Sequence, residues 1–161
     1  MRIAAFLEDQ RVPFESLPHP PAYSAQKRAK YLRVPGRQVA KSLLLRGPRG
    51  LFLAVLPATH HVDTERLAAE LGGPVSFAAD GDIAAVFQDC EWGVVPPFGA
   101  LYGLPTVLDE SLDPEDFIVF EGHTHVEAVR LRCADFERLE SPRRARFGRL
   151  PYEPRPSGSD S

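Results

Sequence analysis

The segments QVAKSLLLR (38–46), GPRG (47–50) and LFLAVL (51–56) decide the fold. Two apolar runs of strand length flank a short glycine- and proline-containing link, which is the pattern of a β-hairpin. On the amino-terminal side, Ile3, Phe6 and Leu7 share one helical face and predict an amphipathic helix over 2–11, ended by Pro13. Phe14 to Leu17 reads as a strand before the turn Pro18-His19-Pro20-Pro21. Ser24 is placed to cap a helix from Ala25 to about Arg33, which Pro35-Gly36 stops. On the carboxyl side, Asp63 can cap a helix to Leu71, with Gly72-Gly73 as its stop, and Asp80 or Asp82 can start another through Phe87. Strands are predicted near 106–109, 117–121 and 125–131, and a last helix over 134–139. Hairpins interspersed with short helices predict an α+β fold, a mixed and mostly antiparallel sheet with helices packed on it.

The chain of 161 residues is long enough for one domain with a substantial core. Residues 1–140 are predicted to form it. They carry 14 Lys/Arg against 20 Asp/Glu, whereas 141–161 hold five arginines against Glu153 and Asp160. An acidic body with a basic end suits a local contact with a polyanion better than a nucleic-acid-coated surface. Rich in Pro, Arg, Ser and Gly, 141–161 reads as a poorly ordered tail. No run approaches the ~20 apolar residues of a membrane span. The amino-terminal stretch has no apolar core long enough for a signal peptide, and two unspaced cysteines make no disulfide framework. The expected setting is cytoplasmic, with no membrane association.

EWGVVPPFG (91–99) is the most constrained stretch. Proline fixes φ and gives up its N–H, and glycine admits conformations closed to other residues. The segment is a stiffened loop. Its N–H groups at Val94, Val95, Phe98 and Gly99 either face a ligand oxygen, as an oxyanion-stabilising array, or merely serve a tight connection between strands. Lys41 lies in the apolar run Val39–Leu45, where alternation puts Val39, Lys41 and Leu43 on one strand face. Such a lysine either guards a sheet edge or lines a pocket, where it can hold a carbonyl, carboxylate or phosphate. Lys27, Arg28, Lys30 and Arg33, with Tyr23 and Tyr31 nearby, form a basic cluster. It reads as a solvated helix face or as a surface for a phosphate backbone and a stacked base.

No metal is predicted. Adjacent His60 and His61 point to opposite faces of a strand, and His123 with His125 lacks a third ligand. Cys90 between Asp89 and Glu91 is poor ground for a thiolate and reads as a packed residue. The sequence contains no G-x-S-x-G elbow, HExxH, P-loop or dinucleotide fingerprint, and no cofactor is expected.

Taken together, Val39-Ala40-Lys41-Ser42, Leu53-Ala54-Val55-Leu56-Pro57 and the run from Asp89 to Gly99 resemble the YbaK/prolyl-tRNA-synthetase-associated (INS-like) editing domain family. His19-Pro20, His61-Val62-Asp63 and Phe120-Glu121-Gly122-His123 extend the likeness over nearly all of 1–140. The resemblance implies a free-standing, metal-independent aminoacyl-tRNA deacylase that hydrolyses mischarged tRNA in trans. It implies a sheet curled into a partial barrel with helices outside. Lys41 and the loop Gly93, Val94, Val95, Pro96 and Pro97 are then the expected catalytic residues. Tyr23, Ser42, His61, Phe98, Gly99 and His123 are expected around the substrate, and Lys27, Arg28, Lys30 and Arg33 against the tRNA. An aminoacyl-tRNA synthetase is a further expected partner. In that family the terminal ribose hydroxyl is thought to help activate water, consistent with the lack of a triad. Relatives often carry glutamates where this chain has Ala78-Ala79-Asp80-Gly81-Asp82, so the amino acid removed does not carry over. Two rival readings are a non-catalytic module that binds aminoacyl-tRNA or a nucleotide, and a hydrolase of small esters.

Overall fold

A computed structural model describes residues 2–152. In chain order the elements are α1 (Arg2–Asp9), β1 (Glu15–Pro18), α2 (Ala25–Leu32), β2 (Ala40–Gly47), β3 (Gly50–Pro57), β4 (His61–Val62), α3 (Thr64–Leu71) and β5 (Ser76–Phe77). There follow α4 (Asp80–Val86), β6 (Thr106–Asp109), β7 (Phe117–Glu121), β8 (Glu127–Arg132), α5 (Cys133–Glu140), β9 (Arg143–Ala145) and β10 (Gly148–Arg149). Local chemistry sets several boundaries. The Ser24 hydroxyl accepts the Lys27 N–H and starts α2. The Asp63 carboxylate accepts from Glu65 and Arg66 and starts α3, and Gly72 ends it with φ 79°.

The hairpin is the centre of the molecule. β2 and β3 pair antiparallel, with Gly47 opposite Gly50 and Lys41 opposite Leu56. β3 is the middle strand of a five-stranded sheet ordered β5-β2-β3-β6-β9, in which β3–β6 and β6–β9 run parallel. A second sheet, β1-β8-β7, is antiparallel, and β10 pairs with β4. The fold is therefore mixed α+β and mostly antiparallel. The expected curl into a partial barrel gives way to separate sheets. The bridge of Val39 to Val119 lies between the two larger ones, and the strands do not close into a barrel.

Packing against this frame is apolar. Ile3 and Leu7 of α1 and Phe136 of α5 cover Ile118, Phe120, Val129 and Leu131 on the second sheet. Leu67 of α3 and Phe147 cover Leu45, Ala54 and Leu56 on the other. Ala25 and Ala29 seat α2 on Val39, Val119 and Ala128, their small side chains letting the helix approach closely.

The reading of 141–161 as a loose tail is corrected over 143–149. There β9 and β10 join sheets, and Phe147 is fully buried. One buried carboxylate explains the order: Asp109 accepts the N–H groups of Phe147 at 2.9 Å and Gly148 at 2.6 Å. A Cβ at Gly148 would lie 2.9 Å from that carboxylate, so glycine is required by the close approach. The basic composition concealed two apolar residues and an anchored turn. The remainder of the proposed tail, 153–161, lies outside the described residues. Among the described residues no helix is long and apolar enough to cross a membrane.

Candidate active site

The Gly/Pro loop is held at both ends. Phe98 is fully buried, with its ring edge-on to Phe120 at 5.4 Å and Phe136 at 5.2 Å. Pro96 and Pro97 are buried beside it. At the other end the Glu91 N–H donates to the His123 carbonyl at 2.8 Å, and the Glu91 carboxylate accepts the His125 N–H at 2.7 Å. The His125 ring donates from Nε2 to the Trp92 carbonyl at 2.8 Å. The Val94 N–H closes a turn onto the Glu91 carbonyl at 3.0 Å, and Gly93 within it has φ 84°, the left-handed region. Between these anchors the Ser42 hydroxyl donates to the Val95 carbonyl, tying the loop to β2.

Lys41, Ser42, Gly93 and Val95 line one cavity of about 240 Å³, together with Tyr23, Ser24, Ala25, Gln26, Arg28, Ala40, Glu121 and His125. Lys41 is half-buried, and burial lowers its pKa below the usual lysine value. Among the described residues it has no hydrogen-bond or ion-pair partner. Nor do the N–H groups of Gly93 and Val95. The lining also carries a charged pair, Arg28 to Glu121, with the Arg28 side chain 3% exposed. Burial lowers the Arg28 guanidinium to about 10. The Tyr23 ring lies over His125 with centroids 4.7 Å apart.

Chemically, the cavity lining includes a lysine without a side-chain partner and two loop residues, Gly93 and Val95, whose N–H groups are unpaired among the described residues. That suits an acyl carbonyl acquiring negative charge. The array is smaller than the sequence suggests. The Val94 N–H is spent on the turn, and Gly99 N–H interacts with the Glu140 carboxylate. Phe98 is a core side chain and does not line the cavity, and Gly99 is packed so that a Cβ would meet the Leu104 carbonyl at 2.4 Å. Arg28 faces inward while Lys27 and Lys30 on the same helix, and Arg33 just past its end, are exposed. His61 is exposed on β4 and does not line the cavity, although Lys41 is among the charges that, after burial, lower its pKa.

His123 also lies elsewhere. It is buried, and its Nδ1 sits 3.3 Å from Cys90 Sγ and 3.6 Å from Asp89. The Ile3 N–H donates to its Nε2 at 3.3 Å, which leaves the neutral ring's proton on Nδ1, facing the thiol and carboxylate. Tyr102 completes the network by donating to Asp89 at 2.8 Å. Burial pushes the Cys90 thiol up to about 12 and lowers His123. Asp89, Cys90 and His123 each bring a ligand atom within 4.8 Å of the others, a group that could hold a metal ion, and here they are hydrogen-bonded to one another, with burial disfavouring a Cys90 thiolate. Sequence reasoning missed Glu121 and His125 as cavity residues. A strand alternation through 121, 123 and 125 would assign them one face, but β7 ends at Glu121 and the chain turns there.

The fold is a mixed α+β scaffold in which a strand lysine and a stiff Gly/Pro loop line one cavity. Residues 19–139 match the aminoacyl-tRNA editing domain family, and the chain belongs to it. It is 27% identical over 154 residues to the Multifunctional Ser/Thr-tRNA deacylase ProXp-y of Escherichia coli (strain K12), covering 92% of each chain. Among solved structures, it is similar to one described as a candidate trans-editing enzyme for prolyl-tRNA synthetase, with TM-score 0.80 and 22% identity over 91% of this chain and 94% of that one. A hypothetical protein gives TM-score 0.82 at 15% identity, covering 92% and 99%.

Proposed function

We propose that the protein hydrolyses the ester joining a wrong amino acid to the 3′ end of a tRNA, acting in trans. The carrying observation is that Lys41, Gly93 and Val95 line one cavity, and that the Lys41 side chain and the Gly93 and Val95 N–H groups have no partner among the described residues. Water adds to the ester carbonyl. The developing oxyanion is met by the N–H donors and the lysine charge. The carbon–oxygen bond to the ribose then breaks, and the ribose oxygen takes a proton, giving free amino acid and uncharged tRNA. Lys41 serves as a charge and an anchor rather than as a base.

The cavity is small and its walls are partly polar: Ser42, Arg28 and Glu121 are among them. That suits a short hydroxylated acyl group, in keeping with the Ser/Thr specificity that names the Escherichia coli relative. The exposed cations Lys27 and Lys30 on α2, whose first turn borders the cavity, and Arg33 just past its end suit the phosphates leading to the ester. A synthetase that supplies the mischarged tRNA in the cytoplasm completes the reading.

The test is a deacylation panel of mischarged tRNAs with wild-type protein and Lys41→Ala. Hydrolysis above background for seryl or threonyl esters, lost in the variant, supports the reading. Protection of the ester, or equal rates on simple esters without tRNA, overturns it in favour of a binding module or a small-ester hydrolase.

A further inference from the structure

Trp92 is the single tryptophan of the chain and is 63% exposed. It is not part of the cavity that holds Lys41. It borders a second one, of about 170 Å³, with Ile83, Ala84, Phe87, Gln88, Glu91 and Val94 among its other walls. Gly93 lines both. The two hollows therefore meet at Gly93. The Trp92 backbone is fixed there, since its carbonyl accepts the His125 Nε2–H at 2.8 Å.

Within the proposed deacylation, an ester bound at Lys41 leaves its own nucleotide with only the ribose between the reacting carbon and the base. The base must come to rest a few ångströms outside the acyl cavity. We propose that the hollow under Trp92 is a nucleobase site, taking the base of the nucleotide that carries the ester. The indole supplies an exposed π-face of the kind on which nucleobases stack. Ile83, Ala84 and Phe87 give the hollow an apolar floor. Gln88 supplies the polar edge. Its Nε2 already donates to the Ala85 carbonyl at 2.9 Å, which leaves Oε1 as an acceptor. An acceptor there matches an exocyclic amine, as adenine and cytosine carry and uracil does not. The terminal base of a mature tRNA is adenine, so ring and amide meet complementary chemistry. This inference rests on the deacylase reading for the identity of the nucleotide.

The lone tryptophan is its own reporter. The full-length protein is titrated with the trinucleotide CCA and with the same trinucleotide lacking its 3′-terminal base, following indole emission. CCA is expected to quench the emission saturably, the abasic form to bind at least tenfold more weakly, and Gln88→Ala to weaken CCA about fivefold. In kinetics on mischarged tRNA, Trp92→Ala is expected to raise KM about tenfold with kcat retained, the low end of what losing one base–aromatic stack costs. Trp92→Phe restores KM to within about threefold, because a smaller ring still stacks. Equal quenching by the abasic trinucleotide, or an unchanged KM in Trp92→Ala, overturns the nucleobase site. That result leaves the deacylase reading intact as long as wild type cleaves and Lys41→Ala does not. If wild type cleaves no mischarged tRNA, the deacylase reading falls, while selective quenching by CCA still supports a base site.

Discussion

The Ser42 hydroxyl donates its hydrogen bond to the carbonyl of Val95, joining a strand to a loop across 53 residues of sequence. Lys41 precedes Ser42, and Gly93 lies two residues before Val95, so this bond ties the strand that carries the lysine to the loop that carries the unpaired N–H groups. A single hydrogen bond contributes only about 1 kcal/mol to stability. Its larger consequence is positional, since small misplacements of catalytic groups are costly. Ser42→Ala should lower kcat roughly tenfold while costing about 1 kcal/mol of stability. Steady-state deacylation and urea unfolding on the same preparation separate the two effects.

Lys41→Ala should lower deacylation by about 10²-fold or more, the usual loss on removing a group that stabilises developing charge. Because Lys41 is half-buried without a partner, its removal should leave the urea midpoint unchanged or slightly raised.

The same burial predicts a pH profile. The folded pKa of Lys41 is lowered from 10.5, so its charged form costs stability near neutrality. That cost fades as pH rises through the window between the lowered value and 10.5. Activity follows the charged form. After subtraction of spontaneous ester loss, kcat should fall with rising pH before an ordinary lysine would titrate, and a profile flat to 10.5 would count against the ammonium.

Arg28 and Glu121 form a pair whose arginine is almost fully shielded from water. Removing one partner strands the other's charge. Arg28→Met should cost about 3–5 kcal/mol, whereas Arg28→Met with Glu121→Met should recover most of it. Denaturant midpoints of the single and double variants measure the coupling. If the double variant folds, its seryl-to-alanyl preference should drop, because the polar wall is gone.

Phe147 lies beyond the boundary that composition suggests and is fully buried against β3 and α3 residues. Phe147→Ala should destabilise the domain by about 3–5 kcal/mol, as large-to-small changes in a packed core do. A chain ending at Glu140 should fare worse, losing β9 and β10 as well. Thermal unfolding of both forms checks this; an unaltered Tm for Phe147→Ala would return 141–149 to the status of a tail.

The sequence by itself determined the elements whose signals are local. Ser24 and Asp63 cap helices, Gly72 stops one, and the 47–50 link turns a hairpin, because each acts on backbone groups within a few residues. It also marked Lys41 and Gly93 as unusual, since a cation in an apolar run and a glycine beside prolines break local rules. Tertiary structure alone decided what these residues face. Arg28 turns inward from a basic helix because Glu121 waits on another strand, and Phe98 leaves the loop's polar array because three aromatic rings receive it. Phe147 is ordered by Asp109, 38 residues away. Such pairings depend on which strands become neighbours, and short-range pattern carries no record of that.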